Sequence, residues 1–249
     1  MKFKRLTSMI RYLSWADPIY KWRITSGDCP LCGGSYFISL KPDPFLTRCL
    51  KCKCNVTNLS LIPIIIEHCK GNFKKYAYEL SSYGCTLDFL RRHFEKIEFS
   101  EYFPNEELGE VVGGIKNQDV QNLAYKSDSF DIVTSNQVFE HVPDDIKGFT
   151  ECFRVLRIDG ALIFTVPWYD IPMTIRKANL VNNEIVFDGE PEYHDSRLDG
   201  ANSSPVFFHH SKNDICERLR SVGFSNVALK EVKIARHQGT SQLVLYATK

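Results

Sequence analysis

Residues 128–167, DSFDIVTSNQVFEHVPDDIKGFTECFRVLRIDGALIFTVP, decide the fold. Phe130 to Thr134 is a short apolar run broken only by Asp131, and Ala161 to Val166 is a second, apolar except for Thr165. Strands this apolar are buried on both faces, as in a parallel sheet. Between them Ile146, Phe149, Cys152, Phe153 and Leu156 recur at the spacing of one helical stripe. Asp144 or Asp145 can cap that helix, and Pro143 keeps the preceding chain out of it. Asp159-Gly160 is expected to end it, with Gly160 as a left-handed C-cap. A strand–helix–strand unit of this kind binds ligands beyond the carboxyl ends of its strands. Ser135, Asn136, Glu140 and His141 lie at that edge, as do Pro167 to Asp170.

Outward from this unit, the same alternation continues. KYAYEL at 75–80 reads as the first strand, with a helix from about Thr86 to Lys96, a strand from Ile97 to Tyr102 and a third over 115–120. The expectation is an α/β, Rossmann-like doubly wound sheet, mostly parallel. NLSLIPIIIEHCK at 58–70 leans to helix, because Asn58 or Ser60 can cap it and Pro63 falls in its first turn. Residues 168–210 form an insertion, with TIRKANLVNNEIVFD as a hairpin turning at Asn182-Asn183. SKNDICERLRSVGF is a helix with Ser211 and Asp214 resembling a capping box and Gly223 as its stop. Residues 225–234 and 241–247 alternate and flank a His-Gln-Gly-Thr turn as a final pair of strands.

Two C-x-x-C knuckles, Cys29/Cys32 and Cys49/Cys52, are sixteen residues apart. That spacing suits four thiolates around one Zn²⁺, and four thiolates leave no open position, so such a zinc is structural. Gly33-Gly34 lets the backbone fold back beneath the metal. Cys54 is a spare thiol at the second knuckle and an alternative ligand to Cys52. The domains are expected as an arm over 1–26, a zinc ribbon over 27–57 and the α/β domain over 58–249. In the arm, Leu6, Met9, Ile10 and Leu13 form a short stripe among basic residues. It reads as a segment packed on its own protein rather than a membrane-surface helix.

FDIVTSNQVFEHVPD and GFTECFRVLRIDGALIFTVP also carry a resemblance. They are similar to the region after motif I in class I S-adenosylmethionine-dependent methyltransferases, type 11-like. That family shows an FDxV strand, an EHV turn, a helix ending RVLKPGG and a strand ending TxP; here the helix ends RVLRIDG. The resemblance implies S-adenosylmethionine as cofactor, held at successive strand ends. Glu79 keeps the acid of the first strand, but in Ser81-Ser82-Tyr83-Gly84 only Gly84 remains of a glycine-rich loop. Glu101, twenty-two positions on, matches the acid that accepts from two ribose hydroxyls, with Tyr102 beside it. Asp119, with Val120, matches the position facing the adenine amino group, and Asn136 closes the set. The bland alternative for each acid is a solvated loop carboxylate.

The resemblance makes the chain a methyltransferase of a small molecule or glycan, at a hydroxyl. His141 and His194 are candidate bases, Glu140 could orient His141, and a second metal near that pair is left open. Surface or packing histidines are the plain alternative. Two other readings compete: a binding protein that kept the fold and lost the cofactor loop, and a nucleic-acid methylase guided by the zinc ribbon. A net charge of +1 gives no field that favours nucleic acid. No run of eighteen apolar residues predicts a transmembrane helix. Isolated cysteines beside a metal-spaced set suit a reducing cytoplasm.

Overall fold

A computed structural model describes residues 22–196, 200–237 and 239–249. The stripe at Leu6 to Leu13 lies outside the described residues. The chain divides into two compact units, each described by itself.

The larger unit comprises Lys75–Ser82, Lys96–Leu229 and Leu245–Lys249. The main sheet has strands β1 (Tyr76–Glu79), β2 (Lys96–Glu101), β3 (Val111–Val112), β4 (Ile115–Asn117), β5 (Phe130–Asn136), β6 (Leu156–Thr165), β7 (Ser225–Val232) and β8 (Gln242–Thr248), of which this unit holds β1–β6, β7 to Leu229 and β8 from Leu245. Their order across the sheet is β7-β8-β6-β5-β1-β2-β4-β3. β1 pairs parallel with β2 and β5, β2 with β4, and β5 with β6. β8 runs antiparallel to β6, the antiparallel last strand that the family resemblance implies. The chain leaves β1 outward through β2 and β4, then returns to the other side at β5. That reversal between β1 and β5 is where an open α/β sheet opens a crevice for a ligand.

The apolar runs that predicted β5 and β6 are buried as expected: Phe130, Ile132, Val133, Ala161, Leu162, Ile163 and Phe164 are all fully buried. The intervening helix spans Asp145–Val155, and the Asp144 carboxylate accepts from the Lys147 N–H at its start. Phe149 and Cys152 enter the core, while Ile146 and Phe153 pack at its margin.

The helix end differs from expectation. It stops at Val155, and Leu156 already pairs with Phe130 as strand. Residues 157–160 are instead a bulge, since the next matched pair is Ile132 with Ala161. Asp159, not Gly160, takes the left-handed conformation, with φ 63°. Gly160 answers a different need: a Cβ there would meet the Arg157 carbonyl oxygen at 2.8 Å. The third strand is also shorter than predicted, and Asp119 sits just beyond it in the loop that follows.

The insertion is a set of short strands. Ala178–Val181 and Glu184–Phe187 pair across Asn182 and Asn183, both left-handed, as the predicted hairpin turn requires. Tyr193–Ser196 pairs with Gly200–Pro205. Phe208–Ser211 lies parallel to Trp168–Tyr169 and antiparallel to Ile175–Arg176. The following helix, Ile215–Val222, ends at Gly223 in the left-handed region. Ser211 and Asp214 form no capping box. The Ser211 hydroxyl accepts from Asn213 N–H and donates to the Ile171 carbonyl, while the Asp214 carboxylate accepts from Thr174.

The smaller unit comprises the described part of Met1–Lys74, with Tyr83–Glu95 and Lys230–Val244. It holds a three-stranded sheet of Arg23–Ser26, Tyr36–Ser39 and Thr47–Cys49, and helices over Val56–Leu59, Leu61–Cys69 and Cys85–His93. Leu61–Cys69 settles the 58–70 segment as helix, with Ile62, Ile65 and Leu61 fully buried. Gly27 faces the chain at Ile234, where a Cβ would stand 2.3 Å from the carbonyl oxygen. Among the described residues, no helix is long and apolar enough to cross a membrane.

Candidate functional site

The strand ends of the larger unit bring several predicted residues together. At the end of β2, the Glu101 carboxylate accepts from the Ser82 N–H at 2.6 Å and the Ser81 hydroxyl at 3.3 Å. The turn after β1 is thus tied to the acid of the neighbouring strand by serines where glycines were expected. Glu79 is 1% exposed and accepts from the Thr134 hydroxyl. Burial pushes its carboxyl up to about 8, and the Glu101 charge adds to the rise. Asp119 accepts from the Gln121 N–H and side-chain amide, and its charge reaches the half-exposed Tyr102. Val120 is buried in the core beside Phe139 and Phe149. Asn136 closes β5 opposite Thr165 of β6. Gly84 opens the helix Cys85–His93 in the smaller unit. Its φ of 115° is one only glycine adopts with ease.

A second cluster lies past β5, where Phe139–His141 forms one 3-10 turn. Glu140 is fully buried, and neither carboxylate oxygen has a hydrogen-bond partner. Burial holds its carboxyl up to about 8. His141 Nδ1 donates to the Pro205 carbonyl at 2.8 Å, which leaves Nε2 bearing the lone pair, 3.7 Å from Glu140 Oε1. Burial pulls the His141 imidazole down to about 4 and also lowers His194, which favours the neutral ring at both. The two rings meet edge to face with centroids 5.0 Å apart. The structure therefore unites His141 and His194, which the sequence could name only separately.

The insertion supplies what sequence reasoning missed. Glu192 accepts from His209 Nε2 at 2.6 Å and sits 3.8 Å from His194 Nε2. Tyr169 stacks on His209 at 3.8 Å and donates to Glu192. Glu192 and His194 are two positions apart in extended chain, and that i, i+2 spacing was the available signal. The Phe207 N–H donates to the Glu140 carbonyl at 2.7 Å, and Arg176 to the Pro143 carbonyl.

The cysteine cluster belongs to the smaller unit. The sulfurs of Cys29, Cys32, Cys49 and Cys52 lie within 4.8 Å of one another. Cys29–Cys52 and Cys32–Cys49 are each 3.6 Å apart. Bonds of about 2.3 Å to a tetrahedral zinc give sulfur–sulfur edges of about 3.8 Å, so the set fits the ion. The two knuckles share one turn: Gly33 N–H donates to the Cys29 carbonyl and Lys53 N–H to the Cys49 carbonyl, each at 2.9 Å. Gly33 and Lys53 are both left-handed. Gly34 lies under the sulfurs, where a Cβ would approach Cys49 Sγ to 2.9 Å. Cys54 is no alternative ligand, because it is joined to Cys85 in a disulfide.

Two family models, each described as a methyltransferase domain, match residues 43–164 and 114–221. No curated protein matches the sequence. Among solved structures, an S-adenosylmethionine dependent methyltransferase from Mesorhizobium loti aligns at 14% identity. The alignment covers 76% of this chain and 98% of that one, with a TM-score of 0.51. The [4+2]-cyclase SpnF aligns at 12% identity over 81% of this chain and 83% of its own, with a TM-score of 0.52. Identities this low speak to architecture alone: the chain has the Rossmann-like fold of the S-adenosylmethionine-dependent methyltransferases, with a mostly parallel central sheet.

Proposed function

We propose that this protein is an S-adenosylmethionine-dependent methyltransferase acting on a hydroxyl of a small molecule or glycan, with a structural zinc in the four-cysteine ribbon. One observation carries the cofactor reading. Glu101 closes β2 beside the switch point and is held there by the Ser81–Ser82 turn rather than turned out to bulk water. When bound, S-adenosylmethionine supplies a methyl group already activated on a sulfonium. Glu101 would take the ribose hydroxyls, Asp119 the adenine amino group, and Glu79, Ser81, Tyr102, Val120 and Asn136 would shape the walls. The protein's task is then mainly orientation, which can remove about 7–11 kcal/mol of barrier. His141 and His194 stand on the acceptor side, where a hydroxyl must give up its proton.

A second reading, binding without methyl transfer, draws on the serines that replace the loop glycines. It also draws on the fact that one fold hosts unrelated reactions, a [4+2]-cyclase among the similar structures. Calorimetric titration with S-adenosylmethionine and S-adenosylhomocysteine tests both. Micromolar affinity together with transfer of labelled methyl to a panel of hydroxylated acceptors supports the first. Affinity without transfer supports the second, and no affinity for either compound overturns the first.

A further inference from the structure

We propose that Glu140, His141 and His194 form a second metal site, which takes a divalent transition ion in a two-histidine, one-carboxylate set and leaves positions open for an oxygen of the acceptor. One ligand atom from each residue lies within 4.8 Å of the other two. Three observations point to an ion rather than to chance proximity.

Glu140 is the first. A carboxyl group 0% exposed with both oxygens unpartnered leaves buried polar atoms unsatisfied unless a cation or a donor reaches it. The second is the tautomer of His141. Its Nδ1–H is spent on the Pro205 carbonyl, so the lone pair at Nε2 faces Glu140. Metal-binding histidines are commonly fixed this way, through the ring nitrogen that does not touch the ion. The third is spacing. At 3.7 Å, Glu140 Oε1 and His141 Nε2 are too far apart for a hydrogen bond. Two ligands at about 2.1 Å from one ion lie about 3.0–3.5 Å apart, so a small inward movement suffices. Glu192, hydrogen-bonded to His209, stands 3.8 Å from His194 Nε2, a distance at which its charge reaches the ring without a hydrogen bond.

The donor set of imidazole nitrogen and carboxylate oxygen suits Zn²⁺, Fe²⁺ or Co²⁺ more than Ca²⁺ or Mg²⁺. Three protein ligands leave coordination open, unlike the four-thiolate ribbon. The acceptor class is therefore one with a hydroxyl or carboxylate oxygen able to enter that sphere, where a bound hydroxyl becomes easier to deprotonate. This use of the ion rests on the transferase reading; the binding of the ion does not.

The test uses the full chain with one zinc in its ribbon, titrated with Co²⁺. The expected result is a second equivalent with visible d–d absorption and no thiolate-to-cobalt band. Glu140→Gln and His194→Ala should each weaken that equivalent by at least about tenfold, while ribbon zinc and thermal midpoint are retained. His194→Ala keeps the test open should Glu140→Gln fail to fold. A wild-type protein that takes only the ribbon metal overturns the site, as does a folded variant that binds the second ion as tightly as wild type. S-adenosylhomocysteine affinity is read on the same samples. A second ion without nucleoside binding leaves the site standing and removes the transferase.

Discussion

Glu101→Ala should separate a cofactor site from a surface carboxylate. Glu101 is half-buried at the end of β2 and already holds the Ser82 N–H at 2.6 Å and the Ser81 hydroxyl at 3.3 Å. If it also accepts from two ribose hydroxyls, alanine removes two hydrogen bonds to a charged group, each worth about 1.5–3 kcal/mol. Partial exposure puts the pair at the low end, about 3 kcal/mol, which is about 100-fold in dissociation constant. Part of that loss comes from the Ser81–Ser82 turn, which gives up its acceptor along with the ligand. Glu101→Gln divides the two effects. It keeps an oxygen for the Ser82 amide but removes the charge, and should cost about tenfold. Calorimetry with S-adenosylhomocysteine reads both variants, with thermal melts to confirm folding. Dissociation constants within twofold of wild type for two folded variants would refute the ribose role.

Three further outcomes follow from the structure. Removing the ribbon metal with a chelator should unfold residues 27–57, because structural zinc is worth about 10–16 kcal/mol and domain stability only about 5–15 kcal/mol; native mass spectrometry and amide exchange check it, and protection unchanged after metal loss would count against zinc. For Glu79, the folded state raises the carboxyl from 4.5 to about 8, so between those values the folded state keeps a proton that the unfolded chain releases. Its contribution is present at low pH and lost as pH rises, by about 1.4 kcal/mol per pH unit. Denaturant midpoints between pH 5.5 and 7.5 should therefore fall less steeply in Glu79→Gln, and equal slopes would contradict the buried proton. Gly223→Ala puts a side chain at φ 119° with Phe153 ring atoms 3.1 Å away. It should cost about 1–3 kcal/mol and lower the melting temperature by several degrees; an unshifted melt would be inconsistent with this C-cap.

The sheet was legible because β5 and β6 are apolar on both faces and need no partner to declare themselves. The Asn182-Asn183 turn was legible for a local reason too, since both residues tolerate the left-handed backbone it needs. Asp159-Gly160 misled because a turn signal says only that the chain bends. Whether the bend caps a helix or bulges a strand depends on Lys249, whose backbone joins Asp159 and Gly160 from the far end of the sequence. Cys54 was ambiguous for the same kind of reason: its partner Cys85 is 31 positions away, and no spacing rule links them. The four-sulfur cluster was readable from two short knuckles. Glu192 and His209 were not singled out, because they meet only once the insertion has folded back on itself.

In the transferase proposed above, the insertion also constrains how acceptor preference could change. Its Phe207 amide is anchored on the carbonyl of Glu140, its Pro205 carbonyl on the ring of His141, and its Arg176 on Pro143. The insertion and the turn that carries His141 are therefore one mechanical piece. A swapped loop that lacked a carbonyl at the position of Pro205 would release the histidine's tautomer along with its specificity. Selection for a new acceptor would then work through the hairpin that turns at Asn182-Asn183 and leave this root untouched.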